Sequence, residues 1–211
     1  YTGWLEQVKN HSFTDFINRT NFQAKSLYQL TQFNTWVLYK LLGTNAWLWH
    51  LVFITMHALN AILLFVFCRR LLADGGVKNS SMITAVGAAL FCVSPYVSEV
   101  VVWEPAFHFL QGLMLIMIVL LSTQAYIHTH ERKYVLLGCG VYMFSLFSLE
   151  IFYITPWLVL TLGIFYAMIP GAKQGSLRRV IVFFFLPMLL LAAARLGAYW
   201  AMYGDWVSRI G

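Results

Sequence analysis

The sequence predicts an all-α bundle of membrane-spanning helices, and three observations carry that prediction. The chain is 60% hydrophobic and only 10% charged, whereas a soluble domain is about 25% charged. Apolar runs of about twenty residues, the length that crosses a bilayer as a helix, recur along it. Lysines and arginines gather in alternate loops, the pattern of the positive-inside rule. The net charge of +6 follows from that gathering and does not point to a nucleic-acid partner. Cys68, Cys92 and Cys139 all lie in apolar runs and read as small buried hydrophobes, not as a disulfide framework or a metal site.

Residues 1–45 form a non-cytoplasmic loop without a span. Ser12-Phe13-Thr14-Asp15 resembles a capping box that starts a short helix. From Lys25 to Leu42 the apolar residues Leu27, Leu30, Phe33, Val37 and Leu41 recur every three or four positions, which predicts an amphipathic helix ended by Gly43. With Trp36 and Tyr39 it is expected to lie along the outer membrane surface. Asn45 is the expected N-cap of the first span. Six spans follow, at 46–69, 80–95, 106–127, 134–149, 152–169 and 177–202. The second, fourth and fifth are short, so tilt, local thinning or burial among neighbours is expected of them. Asp74-Gly75-Gly76 and Pro170-Gly171 are turns, and 204–211 is a non-cytoplasmic tail.

Arg69, Arg70, Lys78, Arg132, Lys133, Lys173, Arg178 and Arg179 all fall in the loops this rule makes cytoplasmic. Both visible termini then face outside, together with Glu6, Asp15, Glu99, Glu104, Glu150 and Asp205. An outer N-terminus ahead of six spans implies a missing upstream span. The absence of a starting methionine agrees with a piece of a longer protein.

Three constellations have the residue types for chemistry. His50, His57 and Asn60 sit in the first span, where a polar side chain costs free energy unless it faces protein or water. His57 and Asn60, deeper in, read as interhelical hydrogen-bonding groups. His50, near the outer surface, can reach a substrate. The two histidines lie about 10 Å apart along the helix and cannot share one ion. The second constellation is Glu104, His108 and Gln111, on one face at the start of the third span, with Glu99 in the same loop. A carboxylate and an imidazole four residues apart suit proton transfer, or half of a divalent-metal site, or a hydrogen-bonded helix start. Pro95 and Pro105 suggest a rigid, partly re-entrant loop around them.

The third constellation is Arg195, about 24 Å along the last span from Arg179. Its planar fork suits a phosphate; the alternative is snorkelling to outer headgroups within an aromatic belt that includes Trp200 and Trp206. Glu150 reads either as a turn acid in solvent or as a group facing an outer cavity. The sequence contains no P-loop, nucleophile elbow, His-Glu-x-x-His or paired-cysteine motif. Asn10-His11-Ser12 and Asn18-Arg19-Thr20 match the short glycosylation acceptor pattern.

Leu42-Gly43-Thr44-Asn45, His50, His57-Ala58-Leu59-Asn60-Ala61 and Arg70-Leu71 together resemble the early spans of the GT-C superfamily, in its protein-mannosyltransferase-like and TPR-linked branch. Ala89-Leu90-Phe91, Pro95, Glu99 and Trp103 resemble that family's next block. Ser145 to Glu150, followed by Pro156, resembles its Ser-Lys-Glu block. The resemblance runs in order over about residues 33–170. It implies a glycosyltransferase that takes sugar from a polyprenyl-phosphate carrier at the non-cytoplasmic face, in a multi-pass protein expected in a bacterial inner membrane. That lipid-linked sugar is the substrate it implies, with membrane lipid and other membrane subunits as further partners.

The chain departs from the family at the first outer loop, which opens Tyr1-Thr2-Gly3-Trp4 without the usual acidic pair. Either the pair lies upstream, or Thr2-Gly3 stands in its place. Ser94 and Val97 also stand where that branch often has histidines. The expected catalytic acids are therefore Asp15, Glu99 and Glu104, with His50, His108 and Arg195 expected to bind the lipid phosphate. The competing expectation, from a different class, is a non-catalytic membrane subunit that packs against partners or lipid.

Overall fold

A computed structural model describes residues 12, 14–15, 29–94, 107–169 and 175–204. Among these residues every regular element is helical. Helix α1 is Gln29–Leu42, α2 Ala46–Asp74, α3 Ser80–Val93, α4 Phe107–Thr129 and α5 Arg132–Ser145. A 3-10 turn, Glu150–Ile154, leads into α6, Thr155–Met168. Helix α7, Ser176–Tyr203, is a single rod with a π turn at Ile181–Phe185.

Four of these segments are long and apolar enough to cross a membrane: α2, α4, α7 and Ile151–Met168. Helices α3 and α5 are each 14 residues, roughly 21 Å at the rise of an α-helix and short of the ~30 Å hydrocarbon core. The helices thus fall where six spans were expected, and four of them have the length and composition to span alone. The first reaches Asp74 instead of stopping near Arg69.

Local chemistry sets the boundaries. Gly43 ends α1 in the left-handed region, at φ +58°, where a side chain is costly. Asn45 caps α2, its side chain accepting from the N–H groups of Trp47 and Leu48 at 3.1 and 3.4 Å. Trp49 Nε1 donates back to the Gly43 carbonyl at 2.9 Å, which fixes the angle between α1 and α2. In the N-terminal loop Ser12 and Asp15 make one half of the capping box the sequence suggested, the Asp15 N–H donating to the Ser12 hydroxyl, together with a side-chain bond. Ser12 Oγ donates to Asp15 Oδ2 at 2.7 Å and accepts from the Asp15 N–H at 3.2 Å.

The core lies around α4. Asn60, wholly buried, donates from α2 to the Leu110 carbonyl at 2.9 Å. Gln124 Nε2 donates to the Phe67 carbonyl at 3.3 Å, so α2 and α4 run parallel and are pinned at two levels. His57 Nε2 lies 3.4 Å from the Cys92 carbonyl of α3, its ring 4.9 Å from that of Phe91. His57 and Asn60 are thus bundle contacts. Small residues let helices approach closely. A Cβ on Gly112 would fall 1.7 Å from the ring of Phe152, and one on Gly138 2.7 Å from Phe184. The same holds where Gly163 of α6 meets Val180 of α7, at 2.9 Å.

The π turn has an identifiable neighbour. Pro187 carries no N–H to offer the carbonyl four residues back, that of Phe183. The Cys139 thiol of α5 donates to that carbonyl at 3.6 Å. Cys68, Cys92 and Cys139 are all unbridged.

Candidate functional site

The alternating helix directions gather polar groups at two ends of the bundle. At one end lie the first turns of α2 and α4, the turn after α5 and the second half of α7. Helix α1 docks there. The Leu30 N–H donates to the Phe147 carbonyl at 2.8 Å, and Thr31 Oγ1 to the Ser148 carbonyl at 3.3 Å. The amphipathic helix expected from the sequence thus packs one face on this end of the bundle and leaves Phe33 and Leu41 exposed. Its Leu38, Tyr39 and Leu42 cover Trp49, Phe53, Phe107 and Leu110.

Arg195 is the charged centre of this end. It is 8% exposed. Its guanidinium lies 4.7 Å from the Phe147 ring and 5.9 Å from that of Tyr199, and Nη2 donates to Gln29 Oε1 at 2.8 Å. Its Nε has no hydrogen-bond partner, and no carboxylate lies within ion-pair distance, among the described residues. The side chain points into the bundle, between the turn after α5 and the start of α1, and does not snorkel along the lipid face.

The other expected site residues are more scattered. His50 is exposed in the second turn of α2. His108 is half-buried at the start of α4, its ring 4.2 Å from that of Phe109. Both lie toward the end that holds Arg195. Asp15 is exposed and engaged with Ser12. Glu99 and Glu104 lie outside the described residues, as does the side chain of Glu150. Among the described residues no three His, Cys, Asp or Glu side chains gather as metal ligands.

The opposite end holds a cluster that sequence reasoning passed over. Tyr166 of α6 donates its hydroxyl to Asp74 Oδ2 at 2.6 Å, and His128 Nε2 of α4 meets the same oxygen at 3.0 Å. The two rings meet edge to face at 5.7 Å. Asp74 is thereby fixed at the last turn of α2, where a carboxylate opposes the helix dipole and needs donors. Nearby, Arg179 lies against the His130 ring, with Nη1 2.8 Å from Nε2 and 3.2 Å from Nδ1. His130 is left-handed, at φ +59°. Arg69, Arg70, Lys78, Arg132, Lys133, Arg178 and Arg179 share this end, which makes it the basic end of the molecule. The sequence signal was Asp74 itself, one of two acids, with Glu131, in a mainly basic set of loops.

No known family matches this chain, and neither a curated protein nor a solved structure matches it.

Proposed function

We propose that the chain is the membrane-embedded core of a protein that handles a phosphate-bearing lipid, as a GT-C-like glycosyltransferase drawing sugar from a polyprenyl-phosphate carrier. In this reading all six helices α2 to α7 are membrane-embedded, the basic end is cytoplasmic and the Arg195 end faces outward. One observation carries the reading. Arg195 is buried, stacked on Phe147 and hydrogen-bonded to one amide, with no carboxylate beside it among the described residues. A buried charge without a counter-charge is costly, and a phosphate would meet the guanidinium with two parallel hydrogen bonds. Positive charge aimed at a departing phosphate also lowers the barrier to glycosyl transfer. His50 and His108, toward the same end, would contact the rest of the carrier. A carboxylate among Asp15, Glu99 and Glu104 would take the proton from the acceptor.

The test is transfer of labelled sugar from a polyprenyl-phosphate donor by the full-length protein in liposomes, with carrier binding measured alongside. Arg195→Ala should lower transfer about 10²-fold or more, the scale of losing one oxyanion-stabilising group, and weaken binding of the bare polyprenyl phosphate. Unchanged transfer and binding by a folded, membrane-inserted variant would remove Arg195 from the site. The non-catalytic subunit has its own supporting observation. Helix α3 exposes Met82, Ile83, Val86, Leu90 and Val93, an apolar face open to a partner or to lipid. Carrier binding that needs Arg195, without any sugar transfer, would favour that second reading.

A further inference from the structure

A groove of about 560 Å³ runs between α2, α4 and α5 at the basic end. It is a separate feature from the Arg195 end, and the reading of that end does not bear on it. Its deep part is apolar, formed by Val66, Ile118, Leu121 and Leu137, and its mouth is polar, with Arg70 and Tyr134. From Ile118 to Thr129 the lining extends along α4 by roughly 16 Å. That is about half of the ~30 Å hydrocarbon core, the depth of one leaflet. A partner helix would need a groove along the whole thickness; one acyl chain needs one leaflet.

The charge at the mouth identifies the headgroup. Asp74 also borders the groove, and its carboxylate is engaged by Tyr166 and His128. Glu131, nearby, is ion-paired with Lys133. Arg70 is exposed and makes no ion pair among the described residues, with Arg69 and Arg132 close in sequence to the same rim. A cation without an ion pair among the described residues, at the polar end of a groove about one leaflet deep, complements a phosphate on an acyl chain. We propose that this groove binds an anionic phospholipid, with one acyl chain against Ile118, Leu121 and Leu137 and the phosphate on Arg70. Basic pockets between membrane helices on the cytoplasmic side take such headgroups.

The full-length protein, purified in detergent, is mixed with phosphatidylglycerol and phosphatidylcholine of identical acyl composition, and retained lipid is counted by native mass spectrometry. The wild type should retain phosphatidylglycerol about five-fold over phosphatidylcholine, the preference that ~1 kcal/mol per interfacial basic residue gives. Arg70→Gln should equalise the two lipids and Arg70→Lys should keep the preference. Leu137→Trp, which fills the groove, should reduce retention of both. Circular dichroism identifies any variant that misfolds, and Arg70→Lys with Leu137→Trp then carries the test. Equal retention by the wild type, an undiminished preference in Arg70→Gln, or unchanged retention in Leu137→Trp would each overturn the proposal. So would a crosslink from Leu137→Cys to another segment of the protein occupying the groove.

Discussion

Replacing Gly112 by alanine puts a methyl group where the ring of Phe152 already is. The new Cβ would stand 1.7 Å from Cζ, 2.0 Å from Cε2 and 2.5 Å from Cε1. Carbon atoms pack best at about 3.5–4.0 Å, so the ring has to retreat by roughly 2 Å. Phe152 is 5% exposed and belongs to the cluster formed with Met117, Leu120 and Val159. It cannot retreat without displacing neighbours. Overpacking of this kind costs about 1–3 kcal/mol, and the depth of the overlap places Gly112→Ala in the upper half of that range. For a chain of this length a loss of about 2–3 kcal/mol lowers the melting temperature by roughly 4–12 °C. Thermal unfolding of the detergent-solubilised protein, followed by circular dichroism, measures it. The double variant Gly112→Ala/Phe152→Leu lacks the offending Cε and Cζ atoms. It should be more stable than the sum of its two single changes. A Gly112→Ala protein that melts with the wild type, or a double variant that is merely additive, would refute the close approach of α4 to the 3-10 turn.

Asn60→Leu removes the link to the Leu110 carbonyl while keeping the volume apolar, and should lower stability by about 0.6–1.7 kcal/mol, the range for a polar contact between membrane helices; the same melting assay reads it. Tyr166→Phe deletes the shorter of the two hydrogen bonds to Asp74. A bond to a charged group contributes about 1.5–3 kcal/mol when shielded, and the 28% exposure of the Asp74 side chain puts the expected loss at or below about 1.5 kcal/mol. In this variant hydrogen exchange should quicken in the last turn of α2, and equal protection would remove the cluster's role in fixing that end.

What could be read from the sequence was local. Runs of apolar residues located all six long or short helices. Asn45 and Gly43 marked their boundaries because capping and left-handed backbone depend on the residue itself and its nearest neighbours. His57 and Asn60 were legible as bundle contacts because polar atoms at membrane depth must find protein partners. The rest depended on residues far apart along the chain. Tyr166 and Asp74 are separated by 92 residues, His128 and Asp74 by 54, Arg195 and Gln29 by 166, and no periodicity encodes such a meeting. Asp74 looked like a turn residue because Gly75-Gly76 follows it. Arg195 was found from its oddity in an apolar run, yet its burial over Phe147 depends on where the turn after α5 comes to rest.

The missing N–H of Pro187 gives α7 a mechanical character of its own. A helix bends most easily where its hydrogen-bond ladder already lacks a rung, and here a thiol from α5 substitutes for that rung at 3.6 Å. The rod is therefore two arms joined at a fulcrum. The shorter arm is clamped, with Val180 seated on Gly163 and Arg179 against His130. The longer arm carries Arg195. A few degrees of swing about Pro187 would move that guanidinium relative to Phe147 while the clamped arm stays still. Blocking the thiol of Cys139 would alter the stiffness of the joint from a carbonyl, that of Phe183, about three helical turns away from the charge it carries.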